Sequence, residues 1–167
     1  RKTIEAVAAG AAPQDRDTSA LDVHWEGGHQ FAVSWAEELA WVPDVEVALA
    51  DFAGEVAGRI GAERVVLIEH AGRAQLWWNA TGPLAADAAR LVESTPRPDW
   101  LHIAIGPQGT GLGGFRDAIR GAELTERVAR LPDSARRPAW RFDDVGHLSL
   151  LVGDRNAAAW FVHRELG

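Results

Sequence analysis

The sequence predicts an α+β domain built on one antiparallel sheet, and three patterns point to it. Apolar residues alternate every second position in some segments and recur three and four apart in others, and the two kinds of segment follow one another as strand, helix, strand, strand, helix, strand. This order is the β-α-β-β-α-β unit of ferredoxin-like folds, whose two helices pack on one face of the sheet. An extra C-terminal strand and helices follow it.

Residues Arg1 to Ala12 place Ile4, Val7 and Ala8 at helical spacing, and the Pro13-Gln14-Asp15-Arg16-Asp17 segment ends the pattern. We therefore expect an entering helix and linker over 1–16 and one regulatory domain over 17–167. From His29 onward, Phe31, Val33 and Trp35 alternate with Ala32 and Ser34, as in a half-buried strand. Val45, Leu49, Phe52, Val56 and Ile60 then spell a helix, with Asp44 as its N-cap and Gly61 just past its end. Arg64 to Glu69 and Arg73 to Asn79 flank His70-Ala71-Gly72, a hairpin turn. Leu84, Ala88, Leu91 and Val92 form a helix entered through Gly82-Pro83 and closed near Pro96, and Trp100 to Ile105 supply the fourth strand. Beyond a glycine-dense turn at Gly106 to Gly114 come a long helix from Phe115, a short strand over Trp140 to Asp144 and a helix over Val145 to Val152. Gly121 falls inside the long helix, where a bend or interruption is expected because glycine costs up to about 1 kcal/mol against alanine.

Composition narrows the function. At 167 residues, 47% hydrophobic and 25% charged, the chain matches a globular domain with a sizeable core. Its net charge of −7 opposes the basic footprint of a phosphate-binding surface, so direct nucleic-acid contact by this segment is not expected. The lack of cysteine removes disulfide and thiolate chemistry. No apolar run approaches the roughly 18 residues of a membrane span, and we expect a cytoplasmic protein without membrane contact. The absence of methionine, with an Arg1 start inside a helical pattern, leads us to expect a fragment of a longer polypeptide.

Gly109-Thr110-Gly111-Leu112-Gly113-Gly114 fits the G-x-G-x-x-G pattern of dinucleotide sites. Such sites need a βαβ unit at the start of a parallel sheet and an acidic residue at the next strand end, whereas here the turn follows the fourth strand and Glu126 and Asp133 fall in a helix and a loop. The glycines are read as a tight turn that lets the helix approach the sheet, and no cofactor is expected. A helix start can still hold an anion, which makes Gly113, Gly114 and Arg116 the candidate ligand-binding residues. His24, His29, His70, His102, His147 and His163 show no metal-binding spacing, so no metal is expected. Adjacent Asp143 and Asp144 point apart on an extended segment, with Asp144 read as a helix cap. No Gly-x-Ser-x-Gly elbow marks a nucleophile, and no catalytic residue is assigned. Trp77 and Trp78 point to opposite faces of their strand, one in the core and the other a partner surface or a second buried residue.

The C-terminal part resembles the GGDEF-like central domain of PucR/CdaR-type bacterial transcriptional regulators. The resemblance rests on Ile103-Ala104-Ile105-Gly106, on Gly111-Leu112-Gly113-Gly114-Phe115-Arg116, on Ala118 and Ala122, on Trp140-Arg141-Phe142-Asp143-Asp144-Val145-Gly146, and on Leu148 to Asp154 and Phe161 to Gly167. It covers Trp100 to Gly167 well and Arg1 to Asp99 in order of elements. It implies a nucleotide-cyclase-like sheet serving regulation and self-association, with DNA bound only through a C-terminal helix-turn-helix absent from this fragment. Active diguanylate cyclases carry Gly-Gly-Asp/Glu-Glu-Phe at the second hairpin, where this chain reads Glu69-His70-Ala71-Gly72-Arg73. One glycine is kept and the acidic pair is gone, so no enzyme is expected. The alternative function is a small-molecule effector-sensing module with its pocket near Gly106 to Arg116.

Overall fold

The computed structural model describes residues 24–36, 45–70, 73–131 and 137–152. In order these form β1 (Gly28–Ala36), α1 (Val45–Ile60), β2 (Arg64–His70), β3 (Arg73–Ala80), α2 (Ala88–Ser94), β4 (Leu101–Ile105), β5 (Gly109–Thr110), α3 (Gly111–Ala129), β6 (Ala139–Arg141) and α4 (Phe142–Val152). The sheet runs β2-β3-β1-β4-β6, with β5 also on β1. Its first four strands are antiparallel neighbours, as the ferredoxin-like unit requires, and β6 joins β4 in parallel, Ile103 opposite Ala139. The fold is α+β and ferredoxin-like with a C-terminal extension. The entering helix, the Asp44 cap, the hairpin tip Ala71-Gly72 and most of the Leu131 to Pro138 stretch lie outside the described residues.

One face of the sheet carries α1 and α2. Leu49, Phe52, Ala53, Val56 and Ile60 form the buried stripe of α1 and pack with Ala88 and Val92 of α2 on Ala32, Leu76, Trp78, Ile103 and Ile105. Each such Leu, Ile, Phe or Val contributes about 1.5–3 kcal/mol on burial. Gly61 ends α1 with φ of 74°, and the Ala62 N–H returns to the Ala57 carbonyl at 2.9 Å, a Schellman-type stop. Arg59 then ties α1 to the end of α2, donating to Thr95 Oγ1 at 2.7 Å and Ser94 Oγ at 3.0 Å. The second helix starts at Ala88 and not at Gly82-Pro83, because residues 81–87 form turns and irregular backbone that bring Leu84 into the core first.

The other face is covered by α3, and this changes the reading of two strands. Phe115, Ala118, Ile119 and Ala122 of that helix pack on Phe31, Val33 and Trp77. The first strand is therefore buried on both faces from Gly28 to Trp35, where the alternation predicted a half-buried one. Trp77 and Trp78 are both buried, at 1% and 0% exposure, one under α3 and the other under α1. Neither forms an exposed partner surface. The Trp78 indole N–H donates to the Ala53 carbonyl at 2.9 Å, which satisfies its polar edge inside the core.

The third helix begins at Gly111, four residues before Phe115, and runs unbroken to Ala129 through Gly121. The glycine is needed for space: a Cβ there would strike the Pro107 ring and approach Phe142, so the missing side chain lets the helix lie against both. The final strand and helix also shift from their expected bounds. The strand stops at Arg141, and Asp143 and Asp144 lie in the first turn of α4 instead of on an extended segment. Acidic side chains there suit the positive end of the helix dipole, and Asp144 turns back three residues to Arg141 at 2.8 Å instead of capping a later helix. Val128, Trp140 and Val145 make a small core between α3, β6 and α4.

Candidate functional site

The glycine-dense turn is built for close approach. Gly109 and Gly114 meet backbone to backbone, so a Cβ on either would run into the other. Gly111 adopts φ of 66° and its N–H donates to the Gly27 carbonyl at 2.9 Å, anchoring the helix start beside β1. The turn follows an antiparallel strand, and β5 pairs antiparallel with β1, which gives the six-residue glycine pattern a packing role in this sheet. Of the candidate ligand residues, Gly113 is exposed with open space around it, Gly114 packs on Gly109, and Arg116 is half-buried on the next turn. No described cavity gathers the three.

A cleft of about 450 Å³ lies nearby, and of the Gly106 to Arg116 stretch only Gln108 reaches it. Its other polar walls are Asp87 and Arg90 at the start of α2 and Arg141, Asp143 and Asp144 at the junction of β6 and α4. Arg141, 17% exposed, holds Glu93 at 3.1 Å and the Asp144 carboxylate through two nitrogens. Partial burial opposes its charge, but the bonds to Asp144 and the fields of Glu93, Asp144 and Asp143 outweigh this and raise its pKa. Sequence reasoning missed this cleft, since its six polar residues fall on three separate segments with no shared spacing.

At the opposite end of β1, the β2–β3 hairpin is fastened to α3 beside its turn. Arg73 binds Glu126 through Nε at 3.0 Å and Nη2 at 2.9 Å, and Arg130 reaches the same carboxylate at 3.1 Å. Trp35 stacks on His102 with ring centres 5.7 Å apart, and the Arg130 guanidinium lies 5.8 Å from the Trp35 ring. The turn end of the hairpin is thus tied to α3 by an ion pair.

The described histidines are dispersed over the fold. His29 is fully buried among Trp25, Trp77 and Phe115. Its Nδ1 faces two donors, Trp77 Nε1–H at 3.3 Å and the Asn79 amide at 3.2 Å, so the neutral ring keeps its proton on Nε2 and donates to the Trp25 carbonyl at 3.1 Å. Burial lowers its pKa, outweighing the Trp25 carbonyl and the Glu26 charge, which act the other way. Asn79 also binds the His24 backbone through both N–H and C=O, holding residues 24–28 against β3. His24 lies 3.8 Å from Glu63, and His147 is exposed on α4. Among the described residues no three His, Cys, Asp or Glu side chains converge in a way that could hold a metal ion. Nor is any described helix long and apolar enough to cross a membrane.

No protein-family model and no curated protein matches the sequence. The fold does match the crystal structure of a regulator of polyketide synthase expression from Bifidobacterium adolescentis, with a TM-score of 0.58 and 19% sequence identity over 94% of this chain. The match covers 63% of that regulator, so the chain spans somewhat under two thirds of its length. At this identity the likeness is one of fold.

Proposed function

We propose that the chain is a non-catalytic regulatory domain of a bacterial transcriptional regulator of the PucR/CdaR type. It self-associates and relays a signal to a helix-turn-helix outside these 167 residues. The observation that supports this reading is the shared architecture with the Bifidobacterium adolescentis regulator over 94% of the chain. The resemblance of Trp100 to Gly167 to the GGDEF-like domain of that family points the same way. The replacement of the cyclase signature by Glu69-His70-Ala71-Gly72-Arg73 favours regulation over turnover.

In this reading the signal is mechanical. The third helix contacts β1, β4 and α4, and Glu126 ties it to the hairpin beside its turn, so a displacement at the hairpin is passed to α4 and onward along the chain. The test has two arms. The purified chain is incubated with GTP and Mg²⁺ and assayed for cyclic dinucleotides; turnover above the buffer blank would overturn the non-catalytic reading. The natural full-length polypeptide is assayed on its promoter with and without Glu126→Gln, and an unchanged transcriptional response would overturn the relay.

A further inference from the structure

The cleft between α2 and α4 is lined by charges of both signs. Its volume of about 450 Å³ lies within the range of small-ligand sites. Arg141 is engaged by Glu93 and Asp144, which neutralise its charge. Three charged side chains remain. Arg90, Asp87 and Asp143 line the cleft, exposed to solvent; none makes a direct side-chain hydrogen bond or ion pair with another described residue, and Asp143 acts on Arg141 only through its field. Asp87 is the more telling of these, because it occupies the N-cap of α2 yet its carboxylate makes no capping bond to the helix.

Ligand classes can be sorted against this pattern. A plain anion would meet two surplus carboxylates, and the first turn of α4 already carries Asp143 and Asp144. A bare metal ion lacks a suitable cluster of three ligands among the described residues. A simple monocation would be opposed by Arg90. A molecule with both signs of charge a few ångströms apart satisfies all three side chains, and charge-assisted contacts of this kind are the stronger hydrogen bonds. We propose that this cleft binds a small zwitterion of the free amino-acid type, with its carboxylate on Arg90 and its ammonium group between Asp87 and Asp143. Gln108, whose amide already donates to the Leu84 carbonyl at 3.3 Å, borders the site beside the glycine turn.

The inference rests on the cleft alone, so its failure is separable from failure of the regulatory reading, which is tested by turnover and on the promoter. The purified chain is titrated at low ionic strength with glycine, L-lysine and L-glutamate, followed by amide chemical shifts. Saturable shifts at residues 87–90 and 141–144 are expected for at least one amino acid. Arg90→Gln and Asp143→Asn should each weaken that binding about tenfold, as the loss of one charge-assisted contact implies. Both positions are on the surface, so the variants should fold as the parent does. Acetate and methylamine, each with half of the charge pattern, should bind about tenfold more weakly than the amino acid. Absence of saturable shifts with all three amino acids, unchanged affinity in both variants, or equal affinity for acetate or methylamine would each overturn the proposal.

Discussion

Lowering the pH should unfold this domain through His29. The ring is neutral in the folded state, and burial holds its pKa below the ordinary 6.5. A histidine of this kind contributes its full stability above the unfolded pKa. As pH falls below about 6.5 the unfolded chain takes up a proton that the folded chain refuses, and stability declines by about 1.4 kcal/mol per pH unit until the folded pKa is reached. The structural reason is at Nδ1: a proton placed there would face Trp77 Nε1–H and the Asn79 amide, two donors with no acceptor left. Glu26, the nearby charge that acts on the ring, opposes the effect without reversing it. The assay is urea unfolding followed by tryptophan fluorescence from pH 8 to pH 5, on the natural chain and on His29→Gln. The variant keeps a donor for the Trp25 carbonyl but removes the Nδ1 acceptor of the buried Trp77 N–H, which should cost about 1–3 kcal/mol at pH 8. It should also lose the acid slope that His29 gives the natural chain. A flat profile in the natural chain, or the same slope in His29→Gln, would refute the reasoning. Glu63, held below the usual carboxylate range chiefly by the Thr81 hydroxyl, loses its contribution only below about pH 4.5 and so does not enter that window.

Three further outcomes follow from the packing. Glu126→Gln leaves Arg73 and Arg130 facing a neutral amide on a side chain only 9% exposed; since Arg73 is a third exposed, the cost should be about 1–3 kcal/mol in urea unfolding, below that of a fully buried pair. Gly109→Ala should destabilise by about 1–3 kcal/mol through its clash with Gly114, while Gly113→Ala, with open space around it, should be neutral or stabilising by up to about 1 kcal/mol. Gly121→Ala should also lower the urea midpoint, because collision with Pro107 outweighs the gain of about 1 kcal/mol in helix propensity.

The four strands of the central unit and α1 were legible because their side chains follow one period over enough residues. The covering of the second face was not. Ser34 falls opposite the apolar side of the alternation, yet it is buried and its Oγ donates to the Ala74 carbonyl at 3.4 Å; Gln30 is buried too, its Nε2 donating to the Gly106 carbonyl at 2.9 Å. Local alternation cannot distinguish a polar residue in water from one bonded to a neighbouring strand. The third helix hid its length behind Gly111, Gly113 and Gly114, which propensity assigns to a turn. A two-residue β5 has no period at all. The cleft and the Arg73–Glu126 tie were beyond reach for a different reason: their members are brought together by the sheet order, across 53 residues in the second case.

The central position of β1 has a consequence for assembly. It is hydrogen-bonded on one edge to β3 and on the other to β4 and β5, strands that begin 45, 73 and 81 residues after Gly28. The β2–β3 hairpin closes over a short loop, but β1 can be sealed in place only after most of the chain exists. Such distant pairings make folding slow. During synthesis the inner edge of β3 stands open until β1 docks, and both stay unlocked until β4 emerges. In this interval the apolar run Leu76-Trp77-Trp78 is the segment most prone to pair with another chain.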